Sequence, residues 1–227
     1  MKNFLIFLFL SLVIIFFFHS TLDPDFGWQY RCGKMVFAGN PCFKNTLSAV
    51  MENYEWYRPV IFYPAFVVVI FDRFSFWGLT FTHVLIGLFS FFIFHKILKK
   101  DIILSLVAFV FATFLSLSLL RLGLRNQTFS LPFFLSTLYF LKLRSRFKLT
   151  FLPLTFFLWA NTHESFLLGL IFLFLNLISD LRPKFLILNS LILILSFIAT
   201  LINPFGFKIY QDIFNHLNIR LGVYPIY

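Results

Sequence analysis

The chain has 227 residues, of which 60% are hydrophobic, 22% aromatic (Phe alone occurs 38 times) and only 12% charged. Its mean hydropathy of +0.89 excludes a single water-soluble core, which could not hide this much apolar surface, and points to an integral membrane protein. The formal charge of +10 does not signal nucleic acid, because the basic residues cluster at the ends of apolar runs, as topology signals do.

The first apolar run, Phe4–Phe18, follows Lys2. No small-x-small cleavage site precedes Asp23, so the run reads as an uncleaved first span rather than a signal peptide. Further runs are Pro59–Phe71, Phe74–Phe94, Ile102–Leu120, Thr128–Leu141, Leu149–Ala160, Phe166–Ile178 and Phe185–Ile202. Between them lie "HKILKKD" (His95–Asp101), "KLRSRFK" (Lys142–Lys148) and "DLRPK" (Asp180–Lys184). The positive-inside rule puts these clusters, with Lys2, in the cytoplasm. Residues 20–58 then form an outer loop, and Pro59–Phe71, too short to span, becomes an interfacial or re-entrant helix. Leu149–Ile178 reads as a hairpin of two short arms, which keeps both flanking basic clusters inside. Its tip, Asn161–Ser165, is expected below the outer surface, where a polar turn is tolerated only inside protein or against water. The expected fold is all-α: a polytopic membrane helix bundle of about seven spans plus an interfacial helix in the first outer loop, in one domain, 1–227.

Under this topology the unusual polar stretches share the outer face. They are "DPD" (Asp23–Asp25), "ENYEWYR" (Glu52–Arg58), "RLGLRNQ" (Arg121–Gln127), "NTHES" (Asn161–Ser165) and "NPFGFKIYQD" (Asn203–Asp212). Ionisable groups beside a lipid-embedded scaffold are functional candidates by default. Asp23 and Asp25 offer two ligands to a divalent cation, or one base and one orienting partner; alternatively Asp23 caps a turn before Pro24. His163 and Glu164 are adjacent in the hairpin turn. The HExxH zinc pattern fails, because Leu167 occupies the second histidine position. His163 reads either as a site residue or as an interfacial histidine. Arg121 and Arg125 suit a phosphate or serve as interfacial anchors. Cys32 and Cys42 either close a disulfide, as an oxidising outer face would favour, or remain free thiols.

Five segments in this order resemble the GT-C superfamily of polytopic membrane glycosyltransferases. The likeness is nearest to a group of bacterial membrane proteins of that type. The segments are "DPDFGWQYRCGKMVFAGNP" (Asp23–Pro41), "NYEWY" (Asn53–Tyr57), "RNQTFS" (Arg125–Ser130), "WANTHESFLLGL" (Trp159–Leu170) and "LINPFGFKIY" (Leu201–Tyr210). Tyr54 stands where the pattern has a histidine. The resemblance implies transfer of a sugar from a polyprenyl-phosphate donor on the outer membrane face. It makes Asp23 or Asp25 the catalytic base or a metal ligand, with a divalent cation as an optional cofactor. His163 joins them as a catalytic candidate, and Arg121 and Arg125 are nominated by position to hold the donor phosphate. Glu55, Trp56, Gln127, Asn161, Glu164 and Asn203 complete the candidate set. Membrane lipid and the polyprenyl-linked sugar are the expected partners, and the cell membrane the expected location. Such proteins usually continue through more spans, so the chain is expected to be a shortened member. The alternative expectation is a non-catalytic scaffold or lipid-carrier-binding remnant.

Overall fold

The computed structural model describes residues 2–20, 23–42, 61–143, 147–179 and 182–220. The candidates Glu55 and Trp56 lie outside the described residues. Every regular element among those residues is helical, with no strand. The chain order is α1 (Lys2–Phe17), α2 (Phe26–Phe37), α3 (Phe62–Leu98), α4 (Ile102–Leu115), the single turn α5 (Leu117–Leu120), a 3-10 turn (Asn126–Phe129), α6 (Ser130–Lys142), α7 (Lys148–Ala160), α8 (Phe166–Ser179), α9 (Pro183–Thr200) and α10 (Lys208–Arg220).

Helix α3 is continuous except at Ser75, whose φ of 55° and ψ of −153° break the helical path. The break divides a first stretch, 62–74, from a second, 76–98. It falls a few residues after "DR" (Asp72, Arg73), close to where the sequence separates an interfacial helix from a span. The second stretch is about 34 Å long at 1.5 Å per residue, enough for a hydrocarbon core of about 30 Å. Among the described residues α3 is the one helix long and apolar enough to cross a membrane. Helices α1, α4, α7, α8 and α9 are apolar but have only 13 to 18 residues. At the same rise they reach about 20–27 Å, short of the length that the seven-span expectation asks of each.

Close packing depends on small residues. Gly87 lets Phe17 of α1 lie against α3, and Gly169 lets α8 close on Trp159 and Phe156 of α7. Gly33 of α2 sits directly on the Pro64 carbonyl and Val68 of the first α3 stretch. Val13, Phe17, Val84, Phe91, Leu106 and Phe109 fill the α1–α3–α4 contact. A second core joins α7, α8, α9 and α10 through Phe156, Trp159, Phe166, Ile192 and Tyr210. Tyr63, Val67, Leu79, Ile86 and Leu124 form a third, under α2. Much apolar surface stays exposed, including a stripe along α3: Phe74, Trp77, Phe81, Leu85, Phe89 and Phe92.

Contacts at the two ends of α3 differ in kind. Near its C-terminus Lys2 Nζ meets Asp101 Oδ2 at 3.1 Å, and Lys142 Nζ donates to the Ile97 carbonyl at 3.1 Å. Three segments expected to share one side, Lys2, "HKILKKD" and Lys142, therefore gather there. Near its N-terminus Tyr63 OH donates to the Leu124 carbonyl at 3.0 Å, and the polar segments around residues 23 and 125 gather.

Candidate functional site

Asp23 and Asp25 are shaped by their own backbone. Asp23 Oδ1 accepts from the Asp25 N–H at 3.2 Å, and the Asp23 carbonyl accepts from the Phe26 N–H at 3.0 Å. This local turn leads into α2 and sets the two carboxylates apart. Asp23 is buried, its side chain 4% exposed, whereas that of Asp25 is 64% exposed.

Arg125 reaches them from a segment about 100 residues later. Gly123, with φ of 73°, supplies a left-handed turn that glycine adopts without penalty. Leu124 is fully buried beneath α2 and α3. Arg125 follows in extended conformation (φ −132°, ψ 164°). Its N–H donates to Thr128 Oγ1 at 3.2 Å, fixing the 3-10 turn. Arg125 Nε lies 3.1 Å from Asp23 Oδ1, and Nη2 lies 3.6 Å from Asp25 Oδ2. The Nε–H is not aligned for a hydrogen bond, so the contact acts as an ion pair. Burial pushes the Asp23 carboxyl above its ordinary value, outweighing the Asp25 N–H and the Arg125 charge, which pull it down.

Arg121 is exposed and, among the described residues, joins no ion pair with the aspartates. Gln127 is also exposed, and its N–H donates to Asn126 Oδ1 at 3.0 Å. The donor set does not suit a resident divalent cation. Two carboxylates already face a guanidinium, and among the described residues no group of three His, Cys, Asp or Glu side chains gathers.

The 3-10 turn that leaves Arg125 ends at Ser130, where a second polar cluster begins. Ser130 Oγ lies 2.5 Å from Ser165 Oγ and 3.2 Å from His163 Nδ1. Ser165 Oγ lies 2.7 Å from His163 Nδ1 and accepts from Trp159 Nε1 at 3.0 Å. Asn161 and Thr162 of the hairpin tip are buried. Asn161 Nδ2 donates to the Phe157 carbonyl at 2.8 Å and to the Ile202 carbonyl at 2.9 Å. Asn203 Nδ2 donates to the Thr200 carbonyl at 2.8 Å, and its Oδ1 accepts from the Phe205 N–H at 2.8 Å. Asn161 and Asn203 thus serve the packing of two turns against each other. Glu164 is half-buried beside His163.

Three features of the site had weak sequence signals. Ser130 and Ser165 lie inside segments singled out for other residues. Helix α2 carries too many polar residues to register as an apolar run. The structure joins Cys32 to Cys42 with a disulfide, Cα atoms 5.3 Å apart, which closes the end of that helix. No family model matches the chain, and no curated protein or solved structure is significantly similar to it.

Proposed function

We propose that the chain is a polytopic membrane protein that transfers a sugar from a polyprenyl-phosphate donor at the outer membrane face. The observation that carries this reading is the Asp23–Arg125–Asp25 constellation, set one short turn from the Ser130–His163–Ser165 cluster. Several features support the polytopic part. Exposed apolar side chains cover α4, α7, α8 and α9 as well as α3, a surface suited to lipid. Lysines Lys2 and Lys142 gather at the opposite end of α3 from the aspartates, as the positive-inside rule asks of a cytoplasmic end.

In this reading Asp25, the exposed carboxylate, takes the proton from an acceptor hydroxyl. The acceptor oxygen bonds to the anomeric carbon while the bond from that carbon to the donor phosphate oxygen breaks. The electron pair leaves with the polyprenyl phosphate, and the configuration inverts. Asp23 is a positioning residue that holds Arg125, and Arg125 faces the negative charge growing on the phosphate.

One observation favours a second reading, a non-catalytic binder of the lipid carrier. Arg125 already has two carboxylate partners, and a phosphate must compete with them. Full-length protein in lipid nanodiscs, offered a panel of polyprenyl-phosphate sugars, separates the two. Transfer that disappears in Asp25→Asn supports the enzyme. Donor binding without transfer supports the carrier binder, and absence of both overturns both.

A further inference from the structure

Helix α2 and the first stretch of α3 run antiparallel, with Phe26 against Phe71 and Phe76 and Gly33 against Pro64 and Val68. Toward the C-terminal end of α2 they leave a cavity of about 290 Å³, lined by Lys34, Phe37, Val68, Val69, Asp72 and Arg73. Lys34 and Asp72 form an ion pair through Asp72 Oδ2. Asp72 Oδ1 accepts from Tyr30 OH at 2.7 Å, so both carboxylate oxygens are engaged within the protein. Lys34 Nζ also sits over the Tyr30 ring, 5.3 Å from its centroid. Arg73 is exposed, and among the described residues it joins no hydrogen bond or ion pair. Two cations against one anion leave the lining one positive charge in excess. The remainder is apolar, with Phe37 and Val69 exposed and Val68 buried.

We propose that this cavity binds the phosphodiester headgroup of an anionic bilayer phospholipid. Arg73 offers its planar fork to the phosphate oxygens. Lys34 keeps ammonium hydrogens beyond the one given to Asp72 and adds a second donor. The excess charge matches the single negative charge of a phosphodiester. A zwitterionic headgroup would bring an ammonium as well, and the carboxylate in the lining is already taken. A free phosphate would leave Phe37, Val68 and Val69 unused, whereas the glycerol and first methylenes of a lipid cover them. The volume lies just under the roughly 300–1,000 Å³ of small-molecule sites, which is room for a headgroup and not for a whole lipid. Arg73 stands shortly before the break at Ser75, where the long apolar stretch begins. Trp77, just beyond the break, is exposed, as suits a membrane–water interface. The cavity is apart from the Asp25 end of α2, because Lys34 lies about 12 Å along the helix from Phe26. The proposal rests on the membrane part of the reading above and not on transfer.

Full-length protein in detergent tests it, titrated with dioctanoyl phosphatidylglycerol or dioctanoyl phosphatidylcholine and read by native mass spectrometry. The phosphatidylglycerol is expected to bind about tenfold tighter or better, and inorganic phosphate at equal concentration should not displace it. Arg73→Gln should lose about tenfold or more of that affinity, as loss of a charged donor does. The Arg73 side chain has no partner to forfeit, so this variant should keep the melting temperature of the unaltered protein. Should it not, Arg73→Lys, which keeps the charge and loses the fork, takes its place and should show a smaller loss. Lys100→Gln, exposed at the other end of α3, should stay within about twofold, because screening isolates so distant a charge. Equal affinity for the two lipids, displacement by inorganic phosphate, unchanged affinity in the Arg73 variants, or equal loss in Lys100→Gln each overturns the site. Washing membranes with alkaline carbonate separates these failures from failure of the premise. Release of the protein removes the membrane reading and the site with it, whereas a retained protein without lipid preference overturns the site alone.

Discussion

Two aspartates one residue apart, facing the same arginine, differ mainly in their access to water. Asp25 is open to solvent, so Asp25→Asn should leave the melting temperature nearly unchanged while reducing transfer by about 10²–10⁴-fold. Asp23 behaves differently. Its carboxyl is raised above 3.8 by burial, so the folded state holds that proton more tightly than the unfolded chain. Between the unfolded and the raised folded value, its contribution to stability falls as pH rises, and it is least favourable above both. Asp23→Asn keeps the acceptor for the Asp25 N–H and removes the buried charge. Thermal unfolding followed upward from about pH 3.5 should therefore show the unaltered protein losing ground against Asp23→Asn as pH rises. An advantage of the aspartate that grows with pH would contradict a raised carboxyl.

At Gly33 helix α2 lies directly against the backbone of the first α3 stretch. A Cβ at Gly33 would meet the Pro64 carbonyl, which belongs to the backbone and cannot step aside, whereas a Cβ at Gly27 meets nothing within 4 Å. Gly33→Ala should thus destabilise by about 1–3 kcal/mol, and Gly27→Ala should be neutral or slightly stabilising. Thermal unfolding of the two variants side by side checks this. Mass spectrometry without prior reduction should find the peptides of Cys32 and Cys42 linked; two alkylated thiols would contradict the bridge. The helices built from apolar runs were legible to within a few residues, because continuous hydrophobicity marks them whatever packs on them. Helix α2 was not: its buried face, with Gln29, Cys32 and Gly33, is defined by what it touches. The charged partners were also visible as types, but the choice of Arg125 over Arg121 was not. That choice depends on the left-handed turn at Gly123 and the burial of Leu124, which only the third core explains.

At the scale of the whole chain the proposed polytopic arrangement makes its own prediction. Single cysteines in a Cys32→Ser, Cys42→Ser background test it, read with an impermeant thiol reagent on intact cells. Both chosen positions, Lys99 and Gln127, are exposed. Gln127→Cys should react from outside, and Lys99→Cys should react only after the membrane is opened. The reverse pattern would invert the orientation, and equal reaction at both would contradict a crossing by α3–α4.

The pairings at the two ends of α3 join residues far apart in the order of synthesis. Lys2 waits for Asp101, 99 positions later, and Asp23 waits for Arg125. The Cys32–Cys42 bridge, by contrast, spans only 10 positions. A growing chain can therefore finish α2 and its bridge while Asp23 still faces water. Its carboxylate is enclosed only after α3 and α4 have been laid down. Non-local closure of this kind carries a loop-entropy cost before it returns any contact energy. A chain halted on the ribosome with residues 1–115 outside would thus hold both cysteines of the bridge while the arginine that meets Asp23 is still to come.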